Sequence, residues 1–308
     1  MTGRFDFLDS GTSVGTLARI PLVFLLLTLA ACGGGPISSS PASGPLSGNW
    51  QLSLLQESPP PLTTLSASGF FWESNNALTG SVQIPAEGTD GQCGGVSSVT
   101  GTVSGQNVTL FLNEGGTELS LTGIISSDNK SISGDYLGPG GGCLAAPTTG
   151  TWNAFLIPQL NGAFTGTLSN SQYMAVLTGL SPPAPIAVSG TLTQGPGMGA
   201  SNATLTGSIT AVGYPCFRTV SLTGTISGQN VYLDVFAYNG EQIGTLGVPG
   251  LPGINGTPAT VVVGSNGVSL TGTGEGGLSL GVSGACPAIT GTSGTLTTDL
   301  TEVAFTFQ

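Results

Sequence analysis

The sequence predicts an all-β protein of two tandem antiparallel meander modules, each a small up-and-down barrel of about eight strands. Three observations carry that expectation. First, Gly and Pro fill 52 and 20 of the 308 positions, only 6% of residues are charged, and Ser and Thr occupy much of the rest. Short Thr/Val/Leu strands with Gly-rich turns fit such a chain, whereas coiled coils and solvated acidic tails need abundant charge. The glycines have no three-residue period, which excludes collagen. Second, Cys93–Val108 and Cys216–Val231 align without a gap at an offset of 123, and both contain Thr-Gly-Thr-(Val/Ile)-Ser-Gly-Gln-Asn-Val. Third, hairpin pairing places apolar residues on one face in both copies.

The repeat sets the domain organisation. Upstream, Leu78-Thr79-Gly80-Ser81 resembles Leu205-Thr206-Gly207-Ser208; downstream, Leu119–Gly123 matches Val268–Gly272. Module 1 is expected over 48–157 and module 2 over 161–308. The linker, 158–160, is short enough for the modules to abut. Eight strands are expected in module 1, at 49–55, 64–73, 77–84, 96–104, 107–113, 118–126, 131–137 and 149–157. A type II′ turn at Gly105-Gln106, with Gly first, sets Val103 opposite Val108, Gly101 opposite Leu110 and Val99 opposite Leu112. Module 2 repeats this as Ile226 with Val231, Gly224 with Leu233 and Leu222 with Val235. A turn of type I′ composition at Asp128-Asn129 pairs Ile125 with Ile132, Gly123 with Gly134 and Leu121 with Tyr136. Cross-strand partners share a face, so a register slipped by one would mix apolar and polar sides.

In a meander alternate loops share an end. The loops holding Cys93 and Cys143 then lie together, and each module owns one early and one late cysteine. The expected disulfides are Cys93–Cys143 and Cys216–Cys286, as suits an exported protein. A zinc site is disfavoured because these cysteines lie far apart and the chain has no His. Inward Gly101, Gly123 and Gly134 are expected to let the sheet curve. The Pro/Gly-rich insertion 247–255 reads as a long loop on the Cys-bearing end.

The N-terminus carries an address. Ile20–Ala31 is an apolar run of 12 residues, preceded by Arg19 and followed by small residues. It is too short to span a bilayer and has the layout of a secretory signal. Its end, Leu29-Ala30-Ala31-Cys32, resembles the lipobox of bacterial lipoproteins. The resemblance implies cleavage before Cys32, a diacylglycerol thioether on its sulfur and acylation of the new amine. Gly33 at the next position, rather than Asp, implies the outer membrane. Asp6 and Asp9 are unusual in the segment before such a signal, and translation starting near Val14 would remove them. Signal peptide is therefore expected over 1–31 and a flexible Gly/Ser/Pro tether over 32–47.

Beyond Ala31 the basic residues are Lys130 and Arg218, against thirteen acids. That excludes a phosphate-neutralising surface for nucleic acid and attraction to anionic head groups. The membrane is expected as a partner only through the anchor on Cys32, and no cofactor is expected.

Without His, a Ser-His-Asp or Cys-His site cannot form. Gly277–Gly281 matches a nucleophile elbow by letters, and Gly272–Gly277 a dinucleotide fingerprint. Neither has the required helix, and the second reads as a hairpin turn. Glu57/Glu73 and Glu114/Glu118 are carboxylate pairs by presence alone.

The opening Gly48-Asn49-Trp50 resembles the Gly-x-Trp that begins the first strand of lipocalins and avidins; module 2 has Gly162-Ala163-Phe164 there. Taken whole, the lipobox, the tether and two Cys-bearing modules resemble uncharacterised Gly/Thr-rich bacterial lipoproteins. The expected function is non-enzymatic: an outer-membrane lipoprotein displaying two β modules for binding or as surface structure. The alternative is a calycin-like carrier of a small apolar ligand, held in a barrel whose Gly-lined wall leaves room and whose pocket uses Trp50, Trp72 and Trp152. Interior volume separates the two.

Overall fold

The computed structural model describes residues 44–308 apart from 61–62, 88–92, 115, 141–145, 238–239, 248–257, 266, 278–288, 292–293 and 297. The signal peptide, Cys32, Cys143 and Cys286 lie outside the described residues, as does the side chain of Cys93. The chain forms two closed antiparallel eight-stranded barrels in tandem.

Barrel 1 runs in order through β1 (Gly48–Ser58), β2 (Thr63–Ser74), β3 (Ala77–Glu87), β4 (Cys93–Ser104), β5 (Asn107–Glu114), β6 (Thr117–Ile125), β7 (Ser131–Gly138) and β8 (Thr148–Ile157). Pairing of β1 with β8, Leu52 opposite Ala154, closes the ring. The expected registers hold: Val103 faces Val108 and Gly101 faces Leu110, while Gly123 faces Gly134 and Leu121 faces Tyr136. Gly105 has φ +60° while Gln106 stays out of the left-handed region, as a II′ turn requires. The β6–β7 connection differs from the expected I′ turn. Asn129 has φ +59° but Asp128 does not share the left-handed conformation. The connection closes through Asn129 N–H to Ser126 C=O at 3.0 Å, and Asp128 Oδ1 accepts from Ser126 Oγ at 2.7 Å and Lys130 N–H at 3.1 Å. These donors hold the Asp128 carboxyl below its ordinary pKa. The side-chain bonds satisfy the longer loop without altering the strand register.

The interior of barrel 1 is filled by Trp50, Leu52, Leu54, Phe71, Leu110, Leu121, Trp152 and their neighbours. Trp50 stacks on Phe71 with centroids 5.7 Å apart. The barrel's large rings each lie opposite a glycine: Trp50 and Gly69, Phe71 and Gly80, Tyr136 and Gly150, Trp152 and Gly134. At Gly134 a Cβ would stand 1.9 Å from Thr122 O, and at Gly123 it would stand 2.9 Å from Trp152 Cζ2. The inward glycines thus bring strands close and give their space to rings. They do not line an open wall. Gly44–Ser47, expected as tether, instead closes the short-turn end. Leu46 is fully buried, its N–H donates to Glu73 Oε2 at 3.0 Å, and its C=O accepts Trp50 Nε1–H at 2.9 Å. An apolar side chain beside an open barrel end gains more from filling it than from remaining in water.

Barrel 2 comprises β9 (Gly162–Ser169), α1 (Gln172–Thr178), β10 (Ile186–Gln194), β11 (Ala203–Ala211), β12 (Thr219–Ser227), β13 (Asn230–Phe236), β14 (Gln242–Leu246), β15 (Ala259–Gly264), β16 (Gly267–Gly277) and β19 (Thr298–Phe307). A two-stranded hairpin, β17 (Ile289–Gly291) and β18 (Gly294–Leu296), lies between β16 and β19 in sequence. Ile226 faces Val231, Gly224 faces Leu233 and Leu222 faces Val235, as the repeat requires. Phe164 lies opposite Gly190 and Phe305 opposite Gly166, with the two rings stacked at 4.6 Å.

The insertion after Gly247 does not leave from the Cys-bearing end. β14 pairs with the upper part of β13 and β15 with its lower part, Leu233 with Leu246 and Val231 with Ala259, and β16 pairs with both. One wall strand is therefore made of two pieces, and the insertion departs from the middle of the wall. Gly247, at φ +73°, follows β14 with its N–H bonded to Thr273 O at 3.0 Å; the rest of the insertion lies outside the described residues. The downstream match also falls at different places: Leu119–Gly123 lies in β6, the sixth place of its ring, whereas Val268–Gly272 lies in β16, the seventh place. The match reflects the shared alternation of Thr/Ser with Leu, Val or Gly rather than equivalent positions.

Candidate functional site

Two clusters of buried polar side chains tie separate parts of the chain together, one at the joint between the barrels and one at the Cys-bearing end of barrel 2. The joint starts from strand alternation. Trp50 and Phe71 point into barrel 1, so Asn49, Gln51, Ser68 and Phe70 point outward on β1 and β2. Yet Asn49, Ser68 and Phe70 are buried: the β12–β13 turn lies on Asn49 and Ser68, and Gly197 lies against the Phe70 ring. Asn49 Nδ2–H donates to Gly228 C=O at 2.9 Å and its Oδ1 accepts Gly228 N–H at 2.6 Å. Gln51 Oε1 accepts Gln229 N–H at 3.1 Å, and Ser68 Oγ lies 2.9 Å from Ser227 Oγ. Phe70 joins the apolar cluster of barrel 2 with Ile157 and Leu160. A side chain at Gly228 would collide with Gln51 and Ser68, at 2.3 and 2.5 Å.

The second place centres on Asp299, 1% exposed. Its carboxylate accepts Ser171 Oγ–H at 2.7 Å, Tyr173 N–H at 3.0 Å and the Tyr214 hydroxyl. Ser171 also caps α1, accepting Met174 N–H at 3.0 Å. Three donors compensate a carboxylate removed from water. They tie together the start of β19, the helix and the 212–218 loop, where Tyr214 meets Phe217 edge-on at 5.1 Å. Cys216, in that loop, is buried and disulfide-bonded. Burial, and then the Asp299 carboxylate, push the Tyr214 hydroxyl well above its ordinary pKa. Ser171 donates to Asp299 and accepts from the helix, so the cluster clasps three segments together.

The sequence-derived candidates separate. Trp50 and Trp152 are buried inside barrel 1, with indole N–H groups donating to Leu46 O and Thr122 O, both at 2.9 Å. Trp72 is half-buried on the outer face, one position out of phase with Phe71, so the three do not line one cavity. Glu57 and Glu73 sit at opposite ends of the β1–β2 hairpin. Glu114 and Glu118 flank the β5–β6 turn opposite Thr117 and Asn113. Gly272–Gly277, expected as a turn, runs within β16. Ser279 lies outside the described residues. Sequence reasoning missed Asn49 and Asp299. The signal for Asn49 was the Asn-Trp-Gln alternation, which places two carboxamides on the face opposite a core Trp.

No protein-family model, no curated protein and no solved structure matches the chain.

Tyr214 holds its proton more tightly folded than unfolded, so its contribution to stability is complete below pH ~10 and falls as pH rises past the free-phenol value. Tyr214→Phe is expected to cost about 1–3 kcal/mol near neutrality by leaving Asp299 a donor short. It should also show a shallower loss of urea resistance between pH ~9 and ~11 than wild type; equal slopes would contradict the clasp. Non-reducing peptide mapping is expected to recover Cys216 with Cys286 and Cys93 with Cys143. Each link closes a loop of about 50–70 residues, with a chain-entropy stabilisation of up to roughly 4 kcal/mol. Recovery of Cys93 with Cys216 would refute module-by-module pairing.

Proposed function

We propose that this chain is a non-enzymatic lipoprotein of the bacterial outer membrane, held by acyl chains on Cys32 and displaying two β-barrels for binding or as surface structure. The observation that carries the reading is Leu29-Ala30-Ala31-Cys32 at the end of a 12-residue apolar run, with Gly33 following. Two or three acyl chains make a durable anchor where one alone does not. The absence of His from the whole sequence removes the commonest general base and supports a non-catalytic role.

Display is favoured over carriage by the filling of the barrels. A carried ligand would have to displace Trp50, Phe71 and Trp152 from barrel 1, or Phe164 and Phe305 from barrel 2, all of which are buried and packed on one another or on glycine backbone. Expressed in a Gram-negative host, wild type is expected to incorporate an alkyne fatty-acid probe and to sediment with membranes. Cys32→Ser is expected to lose the label completely and leave the membrane fraction. Continued labelling of Cys32→Ser would overturn the lipobox reading.

A further inference from the structure

The docking turn at the joint occurs twice in the chain. Ser227-Gly228-Gln229-Asn230 joins β12 to β13, and Ser104-Gly105-Gln106-Asn107 joins β4 to β5. Their registers coincide, Ser227 opposite Asn230 and Ser104 opposite Asn107. Their glycines share the left-handed conformation, φ +54° and +60°. Each is tied to the following wall strand by the same bond, Val261 N–H to Gln229 O and Ile125 N–H to Gln106 O, both at 2.8 Å. The groups that barrel 1 recognises at the joint are the N–H and C=O of Gly228, the N–H of Gln229 and the hydroxyl of Ser227. The first turn carries all of them in the same backbone conformation.

The two copies differ in surroundings. A Cβ at Gly228 would strike Gln51 and Ser68, whereas one at Gly105 meets nothing within 4 Å. Residues 104–107 are all exposed. Ile124, directly opposite Asn107 on the neighbouring strand, is 54% exposed. The equivalent position beside the occupied turn is Thr260. An exposed Ile next to a preformed donor–acceptor turn is the composition of an interface centre with its polar neighbours.

We propose that the Ser104–Asn107 turn, with Ile124, is a docking surface for another β module. The partner presents the chemistry of the Asn49 face: on one strand an outward carboxamide that reads both backbone groups of the Gly, a second carboxamide two residues on, and a hydroxyl on the paired strand. Barrel 2 does not offer that face to a second copy. Its equivalent positions are Ala163 and Thr165, with Ser189 opposite Thr165, so the hydroxyl is kept and both carboxamides are gone. Closed copies of this chain therefore do not polymerise through the turn, and its partner is a module with an uncovered Asn-x-Gln face. This inference goes beyond the lipoprotein reading and does not depend on the anchor.

The chain itself supplies such a face once its own joint is opened. Gly228→Asn keeps the turn, since Asn accepts positive φ, but its side chain collides with Gln51 and Ser68. Gly197→Val opens the joint elsewhere, because a Cβ there would stand 2.2 Å from the Phe70 ring. Isotope-labelled wild-type chain, whose Gly105 turn is free, is titrated with unlabelled Gly228→Asn or Gly197→Val chain up to ~1 mM, the effective concentration a short linker provides. The Gly105 and Gln106 amide resonances are expected to shift saturably with either opened variant. The shifts should be lost when the opened variant also carries Asn49→Ala, and when the labelled chain carries Gly105→Asn. Unmoved Gly105 and Gln106 resonances with both folded variants, or the same shifts with Asn49→Ala present, would overturn the proposal.

Discussion

Both barrels depend on one steric arrangement, an aromatic ring lying across the strand from a glycine. An eight-stranded barrel leaves an interior that side chains can just fill. Trp50, Phe71, Tyr136 and Trp152 in barrel 1, and Phe164 and Phe305 in barrel 2, each face a glycine on the adjoining strand. A residue with a Cβ at Gly134 or Gly190 would strike the next strand's carbonyl at 1.9 or 2.2 Å. Replacing the glycine would therefore push strands apart, and replacing the ring would leave a void. The glycine content that first suggests a loose chain is what permits a dense interior. Rings large enough to span a barrel need small partners beside them.

The polar clusters follow from the same economy of side chains. With cores made of rings and aliphatics, the two buried side chains that gather the most hydrogen bonds from other segments, Asn49 and Asp299, lie where modules or loops meet. Asn49 satisfies both backbone groups of Gly228, and Asp299 gathers three donors from two segments. Each would be costly to leave unpaired in a dry setting. The joint and the clasp consequently fix relative placements that apolar packing alone, being non-directional, would leave loose.

Much of this was legible in the sequence wherever a rule of period two applied. The hairpins at Gly105-Gln106 and Gly228-Gln229 could be paired residue by residue because one face alternates Val, Gly and Leu against Thr. The meander order is legible in strand number and loop length, whereas the choice between a closed barrel and a sandwich rests on the β1–β8 pairing that only the structure shows. What escaped were features with no local period. Asn49 looks like an exposed strand residue until a second module covers it. Leu46 looks like tether until the open end of a barrel is seen beside it. The division of one wall strand into β14 and β15 depends on pairing across a long insertion, which no window of adjacent residues encodes. Residue type alone groups Trp72 with Trp50 and Trp152, but its phase relative to Phe71 places it outside.

The most direct test of the ring-over-glycine account is a double-mutant cycle between Gly123 and Trp152, measured by urea unfolding. A Cβ at Gly123 has Trp152 Cζ2 as its nearest neighbour, at 2.9 Å. Gly123→Ala should cost about 1–3 kcal/mol in wild type, as overpacking does. In a Trp152→Leu background the same change should cost less by at least ~0.5 kcal/mol, the coupling of residues in contact. Equal costs in the two backgrounds would mean that the ring does not occupy the space the glycine leaves, and would contradict the account.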